Sequence, residues 1–374
     1  MIRKFVYRLT VAVLRTLVRP RHSVRYRLTI LKLDRLGDAV LSLGAVRMLA
    51  TICREEELLL IVSPSAAVLY RHEFPAANLL VMPPFCQRFW PDYLISMARY
   101  ARELRAIFTD DLVCLRHQHS DYLHSIALLM NAGHCHASKW DGSRENVSLS
   151  FPRCSLTHYP VTCKTSCLEI EAHRRLVADV VGACELDQVL PILRGLKVIQ
   201  GEGLLVCPMT GDSIRQYPAD RLAECIRLFI QSVPDMGIRF CLPPGSDREP
   251  WLAVLNAKGL TSVQWIFPSD ELALAALISE SRLILAPDSA PAHIATALDK
   301  PGVFLLGGGH YGMFAPWHRS GRQKWLSHVM DCYQCQWCCI HPEAYCVTQI
   351  KPADIAQALV TLDLLLSTSN GLLP

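Results

Sequence analysis

Asp38 follows the run Ile30-Leu31-Lys32-Leu33-Asp34-Arg35-Leu36-Gly37, where an apolar segment gives way to a glycine and then to a helix-forming stretch. A carboxylate at that place can take a proton from a hydroxyl as a general base if its geometry and proton affinity suit. It can equally do no more than cap the helix that starts there. A second such place is Ala286-Pro287-Asp288-Ser289-Ala290-Pro291-Ala292-His293. Pro291 suits the first turn of a helix, Asp288 or Ser289 can cap it, and the amides of such a helix start favour an anion such as a diphosphate. Caps of this kind are common in α/β proteins, and His293, one turn in, is more often a packed core histidine than a ligand. Arg215, in the loop 209–218, can neutralise a phosphate bidentately or simply lie solvated. The turn Gly307-Gly308-Gly309-His310-Tyr311-Gly312 offers a close backbone approach to a ligand. It is not G-x-x-x-x-G-K-[ST], and no G-x-G-x-x-G opens the chain, so kinase and dehydrogenase chemistry lose their best support.

Cys332, Cys335, Cys338, Cys339 and Cys346 form a dense cluster. Four thiolates in this spacing, Cys332, Cys335, Cys339 and Cys346, could bind a structural zinc tetrahedrally. Free thiols or a redox-made disulfide are the alternatives. The other cysteines are mostly scattered singly through apolar segments, among them Cys53, Cys114, Cys207, Cys225 and Cys241, where a thiol acts as a small hydrophobe in a reducing cytoplasm.

The elements that must position these residues alternate. Residues 26–33 read as a strand, then the Asp34–Asp38 turn, then a helix to residue 50, which is the opening unit of a doubly wound sheet. Strands at 58–62 and 78–82, a helix over 90–108, a strand at 112–115 and a helix near 122–130 continue an α/β domain to about residue 190. The alternation restarts with strand 203–207 and helix 219–231. It runs on through strand 238–242, helix 249–257, strand 264–267, helix 269–279, strand 283–286, helix 292–297 and strand 303–306, with a last helix over 353–366. The chain therefore divides into a basic arm (1–27), a first Rossmann-like domain (28–190), a second (203–350) containing the cysteine cluster (332–346), and a C-terminal helix and tail (351–374). Pro191 and Gly195 interrupt the pattern between the two domains.

With 374 residues, 51% hydrophobic and 19% charged, the chain can bury two large cores. Its net charge of +4 comes with no RNA- or DNA-binding signature, so nucleic acid is not an expected partner. The arm holds Arg3, Lys4, Arg8, Arg15, Arg19, Arg21, Arg25 and Arg27 with no acidic residue, interleaved with apolar side chains. Its uncharged stretch 9–14 is far short of the roughly 18 apolar residues of a spanning helix, so it reads as a helix lying on an anionic membrane surface, or else as a solvated tail.

Four blocks taken in order, residues 30–41 around Asp38, Arg215-Gln216-Tyr217-Pro218-Ala219-Asp220-Arg221-Leu222-Ala223-Glu224, Asp288–His293 and Gly307–Gly312, resemble glycosyltransferase family 9, the ADP-heptose lipopolysaccharide heptosyltransferases. The resemblance covers nearly everything after the arm. It implies the glycosyltransferase-B fold, two Rossmann-like domains facing a cleft, and an inverting, metal-independent transfer from a nucleotide-diphosphate sugar donor to a lipid-linked glycan. The setting it implies is the inner face of a bacterial inner membrane. On that likeness Asp38 is the general base, with Arg35, Gly37, Arg116 and His117 on the acceptor side. Arg215, Asp288, Ser289, Ala290, His293, Gly308 and Gly309 face the donor, and no cofactor is required for catalysis. The lack of any D-x-D agrees, and Lys32 or Arg35 could help meet the leaving charge. The chain departs from the family at Ala290, where glycine is usual, at Cys207-Pro208-Met209 for His-Pro-Gly, and at Tyr217 for tryptophan. It also carries histidines in Gly133-His134-Cys135-His136, where relatives tend to have arginines. A non-catalytic nucleotide-sugar or glycan-binding protein, or a metal or redox regulator led by the cysteines, are the alternatives.

Overall fold

The computed structural model describes residues 2–19, 22–83, 90–116, 121–140, 154–159, 167–199 and 201–370. The chain divides into two compact units, Met1–Pro191 and Ile192–Pro374.

The first unit is built on a six-stranded, wholly parallel sheet: β1 (Val24–Lys32), β2 (Leu58–Val62), β3 (Asn78–Val81), β4 (Ile107–Cys114), β5 (Asn131–Trp140) and β6 (Cys154–Tyr159), in the spatial order β3-β2-β1-β4-β5-β6. β2, the run Leu-Leu-Leu-Ile-Val, is buried along its whole length, as a strand covered on both faces requires. Its helices are α1 (Ile2–Leu17), α2 (Leu36–Leu41), α3 (Leu43–Ala50), α4 (Pro64–Glu73), α5 (Trp90–Ala106), α6 (Asp121–Leu129) and α7 (Glu169–Val181). The basic arm thus forms a helix, and one stripe of it is used up inside this unit. Val11 is buried and Leu14 packs with it into the core formed by Met97, Leu104, Ile126 and Leu129 of α5 and α6. The i, i+4, i+8 stripe Leu9, Val13 and Leu17 remains open, at 52%, 44% and 74% exposure. No helix among the described residues is long and apolar enough to cross a membrane.

The second unit repeats the plan with β7 (Glu202–Val206), β8 (Ile238–Cys241), β9 (Val263–Ile266), β10 (Ser281–Pro287), β11 (Gly302–Leu305) and β12 (Gln323–Leu326), ordered β12-β11-β10-β7-β8-β9 and again all parallel. Its helices are α8 (Ala219–Ser232), α9 (Glu249–Ala257), α10 (Glu271–Ser279), α11 (Ala290–Ala297), α12 (Tyr345–Thr348) and α13 (Pro352–Asn370). α8 turns Leu222, Ala223, Cys225, Ile226 and Phe229 inward. α13 closes the same core with Ile355, Leu359 and Leu362, so the last helix belongs to this unit and is no separate tail. Both sheets have the doubly wound order in which the central strand pair, β1/β4 or β7/β10, leads its connections to opposite sides.

Candidate active site

In such sheets the loops that follow the two central strands open a crevice at their carboxyl ends. In the first unit those loops carry Asp34 to Asp38 after β1 and Arg116 after β4. Arg35 is exposed as the residue before α2, and Gly37 lies in the first turn of α2, so its part is helical and not that of a tight turn. Asp38 sits in the same turn. It does not cap the helix, and among the described residues its carboxylate has no hydrogen-bond or ion-pair partner. The backbone around it is pinned instead: Ser42 Oγ donates to Asp38 O at 2.9 Å, and Tyr70 Oη lies 3.0 Å from Ser42 Oγ and donates to Ala39 O at 3.2 Å.

Beneath Asp38 lies a buried ionic group. Lys32, fully buried at the end of β1, places Nζ 3.0 Å from Asp34 Oδ2 and 2.9 Å from Glu169 Oε1. Arg116 Nη1 lies 3.2 Å from Asp34 Oδ1, and His173 Nε2 lies 3.3 Å from Glu169 Oε1. Burial alone would strip the Lys32 proton, but Asp34, Glu169 and Asp38 overcome it and raise its pKa, so Lys32 is charged. Burial lowers the His173 pKa and leaves that ring neutral at pH 7. Asp38 is pushed up to about 8, first by burial, then by the Glu169 and Asp34 charges, with Lys32 and Arg116 opposing. A largely buried carboxyl with this proton affinity and no partner among the described residues is poised to exchange a proton near neutral pH. Lys32 cannot also meet a leaving anion, as its place in the sequence allowed, because both its partners are inside the protein.

Arg116 therefore joins the Asp38 group through Asp34, whereas His117 lies outside the described residues. His134 and His136 on β5 face Asp111, at 3.6 and 3.2 Å. Asp111 stands opposite Leu28, four residues before the end of β1, so these histidines are away from Asp38. A cavity of about 690 Å³ lies at the opposite, amino end of the central strands, lined by Val24, Phe108 and Asn131 from the starts of β1, β4 and β5. Its Arg15 donates to Leu128 O, and its carboxylate, Asp110, is paired with Arg25, which holds that carboxyl below the usual range.

In the second unit the loops after β7 and β10 meet. Arg215 ends a short 3-10 turn, donates through Nη1 to Asp288 O at 3.3 Å and pairs through Nη2 with Asp212 Oδ2 at 3.0 Å. Its Nε–H is buried without a hydrogen-bond partner among the described residues, so the guanidinium has a donor to spare. The solvated-arginine alternative does not describe it, with only 16% of its side chain exposed. Ser289 stands at the N-cap of α11 but donates its hydroxyl to Pro287 O, and Asp288 faces His293, so neither side chain caps the helix. Pro291 brings no N–H and the Ala292 and His293 amides donate to Ser289 O at 3.0 and 3.3 Å, so in the first turn only the Ala290 amide is left without an acceptor among the described residues, a single donor that suits an anion.

His293 is buried on this helix. Trp317 Nε1–H donates to its Nδ1 at 3.0 Å, which leaves the ring proton on Nε2, 3.4 Å from Asp288 Oδ1. Burial works to raise the Asp288 pKa, but the His293 hydrogen bond and the Arg215 charge prevail and lower it. Ala290 begins α11 with a helical backbone and is not among the residues of positive φ, so the alanine costs this loop no strain.

The glycine turn differs from its reading in the sequence. A Cβ on Gly308 would run into the Tyr333 ring, and one on Gly309 into the Trp337 indole. Gly308 O and Gly309 O accept from Gln334 N at 2.7 Å and Gln336 N at 3.0 Å. The close backbone approach is thus taken by the chain's own cysteine-rich segment, which lies over the turn. Gly308→Ala is therefore expected to cost about 1–3 kcal/mol through overpacking, read as a lower melting temperature. Within that segment burial pushes up the thiol pKa of Cys335 and of Cys346, while Cys338 is exposed. Among the described residues no group of three or more His, Cys, Asp or Glu is arranged to hold a metal ion. Tyr333 and Trp337, packed on the glycines, organise this segment, and no catalytic step is assigned to it.

Residues 177–338 match the family model of glycosyltransferase family 9 (heptosyltransferase). Among solved structures, the Escherichia coli heptosyltransferase WaaC with ADP-2-deoxy-2-fluoro heptose is 18% identical over 90% of this chain and 98% of that one, with a TM-score of 0.60. A glycosyl transferase family 9 protein from Veillonella parvula is 16% identical over 91% and 98%, with a TM-score of 0.70. The iron-containing dodecameric glycosyltransferase TibC of enterotoxigenic E. coli is 12% identical over 92% of this chain and 78% of that one, with a TM-score of 0.54. A comparison with curated proteins finds no match. The fold expected from the four sequence blocks, α/β with two parallel Rossmann-like sheets, is the fold observed.

Proposed function

We propose that this chain, a heptosyltransferase-like glycosyltransferase by its family 9 domain, moves a sugar from a nucleotide diphosphate to a hydroxyl of a lipid-linked glycan in a single, inverting displacement. The observation that carries the reading is the lone Asp38 carboxyl with its raised proton affinity, at the carboxyl end of the first unit's central strands. Asp38 takes the acceptor O–H proton, the freed oxygen forms a bond to the anomeric carbon, and the bond from that carbon to the diphosphate breaks with its electron pair. The negative charge that leaves on the diphosphate is met by Arg215 and by the Ala290 amide at the start of α11, with no metal needed for that neutralisation. Asp288 and His293 keep the turn in shape, the Trp317 bond fixing which nitrogen His293 presents to Asp288.

Heptose on ADP is the donor we favour, supported by the likeness to the WaaC complex. A thermal-shift panel of ADP-, GDP-, UDP- and CDP-sugars tests it. A donor at about 100 times its Kd adds about 2.7 kcal/mol, or roughly 5–10 °C in a domain of this size. ADP-heptose is expected to give that shift, and silence across the whole panel overturns the donor site.

The acceptor's lipid is supported by the open stripe Leu9, Val13 and Leu17 on α1, a helix that also carries the exposed Arg15 and is followed by the exposed Arg19, which suits apolar burial beside anionic headgroups. We place the protein on that ground at the inner face of a bacterial inner membrane. The full chain is expected to float with vesicles containing phosphatidylglycerol and not with phosphatidylcholine alone. Val13→Asp with Leu17→Asp is expected to abolish flotation while leaving donor binding intact. Equal flotation of that variant would rule the surface out.

A further inference from the structure

Building on the reading that Asp38 accepts the hydroxyl proton, we propose that Glu169 is a positioning residue for that carboxylate, acting through Lys32 and Asp34 and never touching substrate. Glu169 opens α7 and is 2% exposed, far along the chain from the Asp38 loop. Its Oε1 holds the fully buried Lys32 Nζ at 2.9 Å, and the same ammonium holds Asp34 Oδ2 at 3.0 Å. Asp34 is where the loop to Asp38 leaves β1, and Ser63 Oγ ties down its carbonyl at 2.7 Å. The loop is thus fixed at its start by the ionic group and at its end by Ser42 and Tyr70. Taking two ions out of water is costly, and a site that only needed packing would be served better by apolar residues.

A charge count gives the second half of the argument. Around Asp38 stand Lys32 from β1, Asp34 from the following loop, Arg116 from the loop after β4, Glu169 and His173 from α7, and Tyr70 from α4. His173 is neutral, and burial pushes the Tyr70 phenol up to about 12, so it is neutral as well. Among the described residues, Lys32 and Arg116 then face three carboxyls, Asp34, Glu169 and Asp38. Asp34 and Glu169 each hold a cation directly, so among the described residues the surplus negative charge falls on the one carboxyl of the three that has no partner there. Glu169 therefore makes Asp38 a stronger base than an isolated aspartate as well as fixing its loop.

The test is a titration of Asp38 in the full chain by carboxyl carbon NMR, assigned with Asp38→Asn, beside the pH profile of transfer. In the natural protein the midpoint is expected near 8, and the acid limb of kcat follows it. Glu169→Gln is expected to lower both midpoints by one pH unit or more and to cut kcat at high pH several-fold, with donor KM within twofold. Glu169→Asp, which keeps the charge, is expected to hold the NMR midpoint within half a unit. An Asp38 midpoint that ignores Glu169→Gln overturns the proposal whatever the activity. A midpoint that moves as expected in a chain that transfers no sugar upholds the coupling and rejects the proton-acceptor reading, so the two failures are distinguishable. Should Glu169→Gln not fold, the pair is removed as a neutral unit with Lys32→Met. The midpoint is then expected to stay within half a unit while kcat falls at least tenfold, and natural kcat in that double variant overturns the proposal.

Discussion

Asp38→Asn is expected to lower the rate of sugar transfer about 10²–10⁴-fold, the range that a positioned general base contributes, while changing the donor Kd less than twofold. The substitution keeps shape and removes only the proton-accepting oxygen of a side chain that has no partner among the described residues to lose. It carries a second, opposite consequence for stability. An aspartate that titrates at 3.8 when unfolded and at about 8 when folded binds more protons in the folded state between those values, so stability falls as pH rises from about 4 to 8. Removing the group removes that loss. Asp38→Asn is thus expected to melt higher than the natural protein at pH 8–9, with the gap closing towards pH 4. A variant that is inactive and also less stable at pH 8 would mean that Asp38 serves the fold and not the chemistry.

Arg215→Ala is expected to lower kcat/KM for the donor about 10²–10³-fold, the scale on which one preorganised group facing developing charge acts, or about 2.7–4 kcal/mol. Arg215 pairs with Asp212, reaches the backbone of Asp288 and still keeps its Nε–H unpartnered among the described residues, so its loss removes a cation and a spare donor that stand beside the turn. Lysine is a point charge without the planar fork, and Arg215→Lys is expected to recover part of the loss only. Steady-state kinetics across concentrations of the nucleotide-diphosphate sugar donor reads both variants. An Arg215→Ala enzyme within threefold of the natural one assigns the anion to another group.

Much of the fold was legible because parallel strands buried on both faces are continuous apolar runs. β1, β2, β7 and β10 announce themselves in this way, and the turns that leave them carry Asp38, Arg215 and Asp288. β5, Asn-Ala-Gly-His-Cys-His-Ala-Ser-Lys-Trp, and β6, Cys-Ser-Leu-Thr-His-Tyr, are too polar to stand out, and β12 is only four residues long. α7 was lost among the charged residues that surround Ile170, Leu176 and Val177, and Glu169 and His173 were lost with it. One signal was available. Lys32 interrupts an apolar strand, and a lysine buried there requires carboxylates near it, although the sequence does not say that one of them lies 137 residues away. Trp317 left no trace, since its bond to His293 spans 24 residues through tertiary structure alone. The glycine turn was misjudged for a related reason. Glycines permit a close approach without saying whose, and here Tyr333 and Trp337 make it.

The central claim, a one-carboxylate displacement at the anomeric carbon, is tested most directly by proton NMR of the product formed from an ADP-heptose donor and a glycan acceptor. The expected result is a new glycosidic bond whose anomeric configuration is opposite to that of the donor. A retained configuration, or free sugar with no bond to the acceptor, would contradict it.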